Sequence, residues 1–180
     1  MTKKILLSLM LVALFASCIR EPEENDPQFI VEVGQLAPDF TMTMPNGETV
    51  RLYDLRGKVV MLQFTRNGCG VSEIEMMPRI ETYIWQPLQN NTENFALFGI
   101  GRNNDAVQIA DMKQRTGVTY PIGMDPGGNI FNLFAESTGG TTRNIIIDRD
   151  GYIRMLTRLF DINVFNQMVA LINKLVAEED

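Results

Sequence analysis

Val59-Val-Met-Leu-Gln-Phe64 carries one polar side chain in six residues and is fenced by Gly57-Lys58 before it and Asn67-Gly68 after it. So short and continuous an apolar run suits a strand covered on both faces, and it leaves no polar face to turn toward water. Phe95 to Ile100 repeats the pattern, and between the two a helical stretch runs from about Ser72 to Trp85. Strand, helix, strand is the order that joins parallel strands by a crossover. Asp105 then opens a second helix to about Thr116: its carboxylate caps the free amides, Gln108 stands three residues on, and Gly117 ends the helix. Tyr120-Pro121 and Pro126-Gly127-Gly128 are turn chemistry, followed by a short helix over Asn129 to Ala135. Asn144 to Ile147 and Tyr152 to Thr157 form a hairpin around Asp150-Gly151. A final helix from Asn163 to Ala177 aligns Phe165, Met168, Val169, Ile172, Leu175 and Val176 on one face. Upstream, Phe40 to Met44 and Glu48 to Leu52 flank Pro45-Asn46-Gly47 as a β-hairpin. The expected class is α/β: a central mixed sheet, helices on both faces and an N-terminal β-hairpin, with no internal repeat and no second domain.

The first residues read as an address. Lys3-Lys4 is a positive start, and Ile5 to Phe15 is apolar except for Ser8. That run suits a secretory signal and falls short of the ~20 residues that span a bilayer. Ala16-Ser17 before Cys18 resembles a bacterial lipoprotein signal, whose final cysteine receives lipid. The expected division is a signal peptide over 1–17, a lipidated Cys18 with a flexible tether over 18–33, and one domain over 34–180. Ile19 to Gln28 has two prolines, four acids and one apolar residue, which suits a tether. Lipid-anchored residence in the cell envelope follows, at the periplasmic face or the cell surface.

Composition shortens the list of possible chemistries. The chain has no histidine and two cysteines. This excludes Ser-His and Cys-His nucleophile pairs, imidazole metal sites and cysteine-rich zinc sites, so neither a metal nor a cofactor is expected. Sixteen Lys and Arg against twenty-two Asp and Glu leave a net charge of −6 with no basic block, so nucleic-acid binding lacks its electrostatic footprint. Asp148-Arg-Asp150-Gly151 reads as a hairpin turn rather than a calcium loop. Met42, Met44, Met76 and Met77 read as packing, as do Tyr83 and Trp85 on the first helix. Cys69 stands apart in Thr65-Arg-Asn-Gly-Cys69-Gly-Val-Ser72, between a buried strand and a helix. Free backbone N–H groups and the positive helix end favour a thiolate there, and Ser72, one turn on, is expected to hydrogen-bond the sulfur.

Several pieces then fall in a recognisable order. Gly34-Gln-Leu-Ala37-Pro38-Asp39-Phe40 comes first, then Asn46-Gly47, then Leu52-Tyr-Asp54-Leu55-Arg56-Gly57-Lys58-Val59-Val60. Cys69-Gly70-Val71-Ser72 with Glu75 and Pro78 follows, and then Ile145-Ile-Ile147-Asp148 with Gly151. Together they resemble the thioredoxin-fold redoxins of the TlpA/ResA and AhpC/TSA group, from Gly34 to the C-terminus. The resemblance implies a thioredoxin-like fold and thiol-disulfide exchange with protein disulfides or thiols. It places Cys69 and Ser72 at the catalytic positions, and Gly68, Gly70, Val71, Glu75, Thr142 and Arg143 around them.

The departures bear on mechanism. Ser72 stands where the family has its second cysteine, and Gly68 where a tryptophan is usual. Glu73 and Ile74 replace residues that are commonly basic, and Glu73 and Glu75 are expected to oppose a nearby thiolate. Pro78 falls one residue later than the family spacing, which implies an extra residue or a helix irregularity at Met76-Met77. Thr142, with Arg143 beside it, occupies the usual cis-proline position. One thiol alone implies mixed-disulfide exchange resolved by an external thiol. Two alternatives stand beside it. The first is a non-catalytic binding or scaffold lipoprotein. The second is a one-cysteine peroxiredoxin with Arg143 as activating arginine, which is the weaker enzyme reading because Arg66 and Leu62 break that family's motif.

Overall fold

The computed structural model describes residues 29–178. Cys18 and the signal segment lie outside the described residues. One seven-stranded sheet organises the chain, in the order β2-β1-β5-β4-β3-β6-β7. Its centre is β3 (Val59–Thr65), buried along its whole length. β3 pairs in parallel with β4 (Phe95–Arg102), and antiparallel with β6 (Arg143–Ile147) on its other edge. β6 continues into β7 (Ile153–Arg158) as the expected hairpin. β1 (Thr41–Thr43) and β2 (Thr49–Arg51) form the N-terminal hairpin, with Gly47 at φ 88° in its turn.

One strand escaped the sequence reading. β5 (Ile122–Asp125) is parallel to β4 and holds the hairpin through Thr43 opposite Met124. Four residues between two prolines, with Gly123 inside, carry no strand signal. Their glycine is a packing requirement: a Cβ at Gly123 would lie 2.7 Å from the Met42 sulfur.

Strand alternation divides the core in two. Val59 and Met61 face one cluster, while Val60, Leu62 and Phe64 face the other. Three long helices close the first. α1 is composite over Val71–Met76, Met77–Ile80, Glu81–Trp85 and Gln86–Leu88; α2 is Ala106–Thr116 and α3 is Ile162–Ala177. α2 has the anticipated ends: Asp105 accepts from the Gln108 N–H, the Gln108 side chain returns the bond, and Gly117 sits at φ 72°. The second cluster is closed by the N-terminal segment and by 3-10 turns at Leu52–Leu55, Pro126–Gly128 and Phe131–Leu133. Helical elements therefore flank both faces, long on one and short on the other. The short helix expected over Asn129 to Ala135 is present in shortened form, as the 3-10 turn at Phe131–Leu133. Gly127, at φ 78°, is non-helical, and the buried Asp125 carboxylate takes the N–H groups of Ile130 and Phe131 at 2.9 and 3.0 Å.

Packing is already present at Phe29, within the stretch assigned by sequence to the tether, where it bridges Ala135. The Ile30 N–H donates to Phe134 O at 3.0 Å, Val31 is buried, and the Phe29 ring lies against the Arg143 guanidinium. The family spacing starts at Gly34 and says nothing about these residues.

Tyr120 joins the polar groups of the helical face, donating to Gln63 Oε1 at 2.6 Å from a fully buried position. Burial pushes its phenol well above the usual tyrosine range, and the Glu81 carboxylate adds in the same direction. The folded chain thus holds the phenolic proton to higher pH than the unfolded chain does. This contribution is whole below about pH 10, and it is lost as pH rises from there through the folded-state value. Urea midpoints should fall across that alkaline window, and Tyr120→Phe should flatten the fall.

Candidate active site

β3 ends at Thr65, the loop from Arg66 to Cys69 turns through Gly68 at φ 82°, and α1 begins at Val71. The Cys69 N–H donates to Arg66 O at 3.0 Å, and its carbonyl accepts from the Glu73 N–H at 2.9 Å, so helical bonding starts at the cysteine. Cys69 is half-buried and is the only cysteine among the described residues. Its Sγ lies 3.3 Å from Thr142 Oγ1, where either group can donate. The fold thus brings Cys69 and Thr142 together from opposite halves of the chain. No cis peptide bond occurs among the described residues.

Ser72 does not reach the sulfur. It is fully buried, with Oγ 2.7 Å from Thr65 Oγ1, and Thr65 Oγ1 also approaches the sulfurs of Met77 and Met112 at 3.6 Å each. The reason is helix phase: Ser72 lies on the face of α1 that covers the end of β3. Gly68 and Gly70 are exposed, and Val71 and Ile74 are 39% and 72% exposed, which gives the thiol an apolar rim.

The irregularity anticipated before Pro78 is π-helical winding. Val71–Met76 and Glu81–Trp85 are π-helical, with Met77 N–H donating to Ser72 O and Gln86 N–H to Glu81 O. Each wide turn ends one residue before an X-Pro pair, Met77-Pro78 or Gln86-Pro87. Proline lacks an N–H and its ring crowds the carbonyl four residues back. A π-turn relieves that crowding and absorbs one additional residue, which accounts for the displaced Pro78.

The two glutamates are not bare charges. Glu75 pairs with Arg79 at 2.9 Å. Glu73 Oε1 accepts from the Gly68 N–H at 2.7 Å and from Arg115 at 2.8 Å, so its charge is met by a cation from α2. Arg115 also donates to Asn67 Oδ1 and, at 2.9 Å, to Asp111. Asn67 donates to Asp111 at 3.2 Å, and its N–H donates to Asn104 Oδ1 at 2.9 Å. Nothing in the sequence pointed to Arg115, because the contact exists only once α2 packs beside the loop.

Arg143 follows Thr142, and strand alternation sends it to the opposite face of the sheet. It is fully buried there, 5.2 Å from the Phe131 ring centre and 5.0 Å from that of Phe29, and it donates to Gly140 O. Arg102 lies 3.8 Å over the same Phe131 ring and donates to the carbonyls of Gly139 and Ser137, holding the loop that leads to Thr142. Burial lowers the Arg102 pKa, neighbouring Arg66 adds to this, and Asp125 acts against it.

Comparison with known proteins agrees with this architecture. The profile of the AhpC/TSA family matches residues 33–156. The thiol-disulfide oxidoreductase ResA of Geobacillus kaustophilus is 29% identical over 126 residues, which cover 70% of this chain and 69% of the relative. The solution structure of a candidate protein disulfide isomerase from Bacteroides thetaiotaomicron is 47% identical, with a TM-score of 0.80 over 84% of this chain and 94% of that one. A candidate thiol:disulfide interchange protein DsbE from Chlorobium tepidum, 20% identical over 82% of this chain and 99% of its own, shares the fold with a TM-score of 0.68.

Proposed function

Because the chain belongs to the AhpC/TSA family, and has a thioredoxin-like fold, we propose that it is a cell-envelope thiol-disulfide oxidoreductase-like protein acting through the single thiol of Cys69. The observation that carries the reading is the placement of that sulfur: half-buried at the start of α1, beside the Thr142 hydroxyl, and next to exposed Gly70 and Val71. A helix start supplies unpaired N–H groups and the positive end of the dipole, which suit a thiolate. That thiolate attacks one sulfur of a protein disulfide. A Cys69–substrate disulfide forms, the substrate S–S bond breaks, and the departing sulfur carries away the electron pair and then takes a proton. A second thiol, supplied from outside the chain, attacks the mixed disulfide and returns Cys69 to its reduced state. Ser72 offers no sulfur for that step, and its hydroxyl is committed to Thr65. The lipoprotein-like signal, with Cys18 as the lipid site, supports residence at the envelope on either face.

Ser72 also favours a second reading, a binding or scaffold protein that keeps the fold without the chemistry. The peroxidase reading has less support, since Arg143 lies against aromatic rings on the far face of the sheet and Thr65 is tied to Ser72. Incubation of the reduced, full-length protein with insulin, followed by acid trapping and mass spectrometry under non-reducing conditions, separates these. The expected result is an insulin-chain adduct on Cys69 that persists until a small thiol is added. A folded protein whose Cys69 remains unmodified through hours of exposure would sink the redox reading.

A further inference from the structure

We propose that Arg115 is a positioning residue for Cys69: it neutralises the carboxylate that α1 holds against the cysteine loop, and it fixes that loop through Asn67. The inference rests on Cys69 being the reacting thiol.

Glu73 is held where its charge matters. Its side chain is 13% exposed, and Oε1 accepts from the Gly68 N–H, in the residue immediately before the cysteine. The guanidinium of Arg115 reaches the same oxygen at 2.8 Å from α2, beside the Asn67–Asp111 hydrogen bond through which that helix also meets the loop. The same guanidinium nitrogen donates to Asn67 Oδ1, and the other terminal nitrogen is anchored on Asp111 at 2.9 Å. One side chain therefore sets its positive charge against Glu73, shares it with Asp111 so that the trio keeps one negative charge rather than two, and ties down the loop that carries the thiol.

The remaining charged groups around the loop do not replace it. Exposed Arg66 belongs to the loop itself and faces Arg102. Glu75 of α1 is paired with Arg79, and Asp111 of α2 with Arg115. From β6, Arg143 stacks on the aromatic rings of the opposite face, with Arg158 of β7 beside it in register. With Arg115 removed, the Glu73 carboxylate, 13% exposed and bonded to the residue before the cysteine, would oppose negative charge on the sulfur.

Alkylation of Cys69 by iodoacetamide, followed against pH in the full-length protein, tests this through substitutions of opposite sign. Arg115→Met should slow alkylation at pH 7 by about three- to tenfold and move the half-maximal pH upward. Glu73→Gln keeps an acceptor for the Gly68 N–H but removes the charge, so it should move the profile the other way. The double variant should return to within about twofold of the native rate. Loss of a mere strut would move both single variants in the same direction, and that result, or an unchanged Arg115→Met profile, overturns the proposal. Thermal melts confirm folding. If Arg115→Met does not fold, Arg115→Lys keeps the charge and should hold the native profile, while Glu73→Gln still moves it downward. Native Cys69 that reacts no faster than free cysteine at any pH would instead overturn the single-thiol reading on which the inference rests.

Discussion

Ser72→Cys should raise insulin-disulfide reduction in excess dithiothreitol by about 10²-fold or more, because a second thiol in the same molecule acts at an effective concentration no external thiol reaches. Position 72 is one helical turn from Cys69, a separation at which side chains meet and which matches the Cα spacing of roughly 4.4–6.8 Å that a disulfide spans. The native hydroxyl is buried beneath the loop and turned toward Thr65. A sulfur in that place would be shielded from bulk reagents, and rotation about its Cα–Cβ bond, away from Thr65, would turn it toward a mixed disulfide on Cys69. The substitution has a modest structural cost. Thr65 loses a good partner, about 1 kcal/mol, and the larger sulfur presses on the methionine sulfurs of Met77 and Met112, which yield readily. Steady-state precipitation of insulin B chain reads the gain, and Cys69→Ser combined with Ser72→Cys must abolish it. A stable, well-folded Ser72→Cys protein with no gain would favour the scaffold reading.

What the sequence made legible is what rests on local chemistry. The apolar run at Val59–Phe64, the Asp105 and Gln108 box with Gly117, and the Asn46-Gly47 turn each state their structure within a few residues. The displaced Pro78 was legible too, as an irregularity whose form only the backbone could supply. What stayed hidden depends on contacts made between distant segments. β5 is a strand because β4 and β1 offer edges on either side of it, not because Ile122-Gly-Met-Asp125 favours extension. The direction of the Ser72 hydroxyl follows from helix phase over β3, and the neutralisation of Glu73 follows from α2. Thr142 was placed near the thiol by the family's spacing, and the fold sets its hydroxyl 3.3 Å from the sulfur. Arg143, one residue on, was grouped with the site by proximity in sequence, whereas the strand period separates the two across the sheet.

The face without long helices should depend heavily on Phe131, and Phe131→Ala is expected to cost about 3–5 kcal/mol, the range for removing a fully buried ring. For a chain of this size that corresponds to a melting temperature lower by roughly 10 °C. The ring is fully buried, meets Phe64 edge-on at 5.4 Å, and receives two guanidinium groups, Arg102 at 3.8 Å and Arg143 at 5.2 Å. Cations withdrawn from water gain more from an aromatic face than exposed ones do. Burial already lowers the Arg102 pKa, so losing the ring leaves a cation in a poor environment with less to offset it. Because Arg102 holds the carbonyls of Ser137 and Gly139, the loop leading to Thr142 should loosen as well, and the thiol would lose its hydroxyl neighbour. Urea unfolding reads the first effect and Cys69 alkylation the second. Phe131→Leu, which restores volume but not the π face, separates them: it should recover most of the stability and little of the loop order. A cost below about 1 kcal/mol for Phe131→Ala would mean that the N-terminal segment, not this ring, holds the face closed.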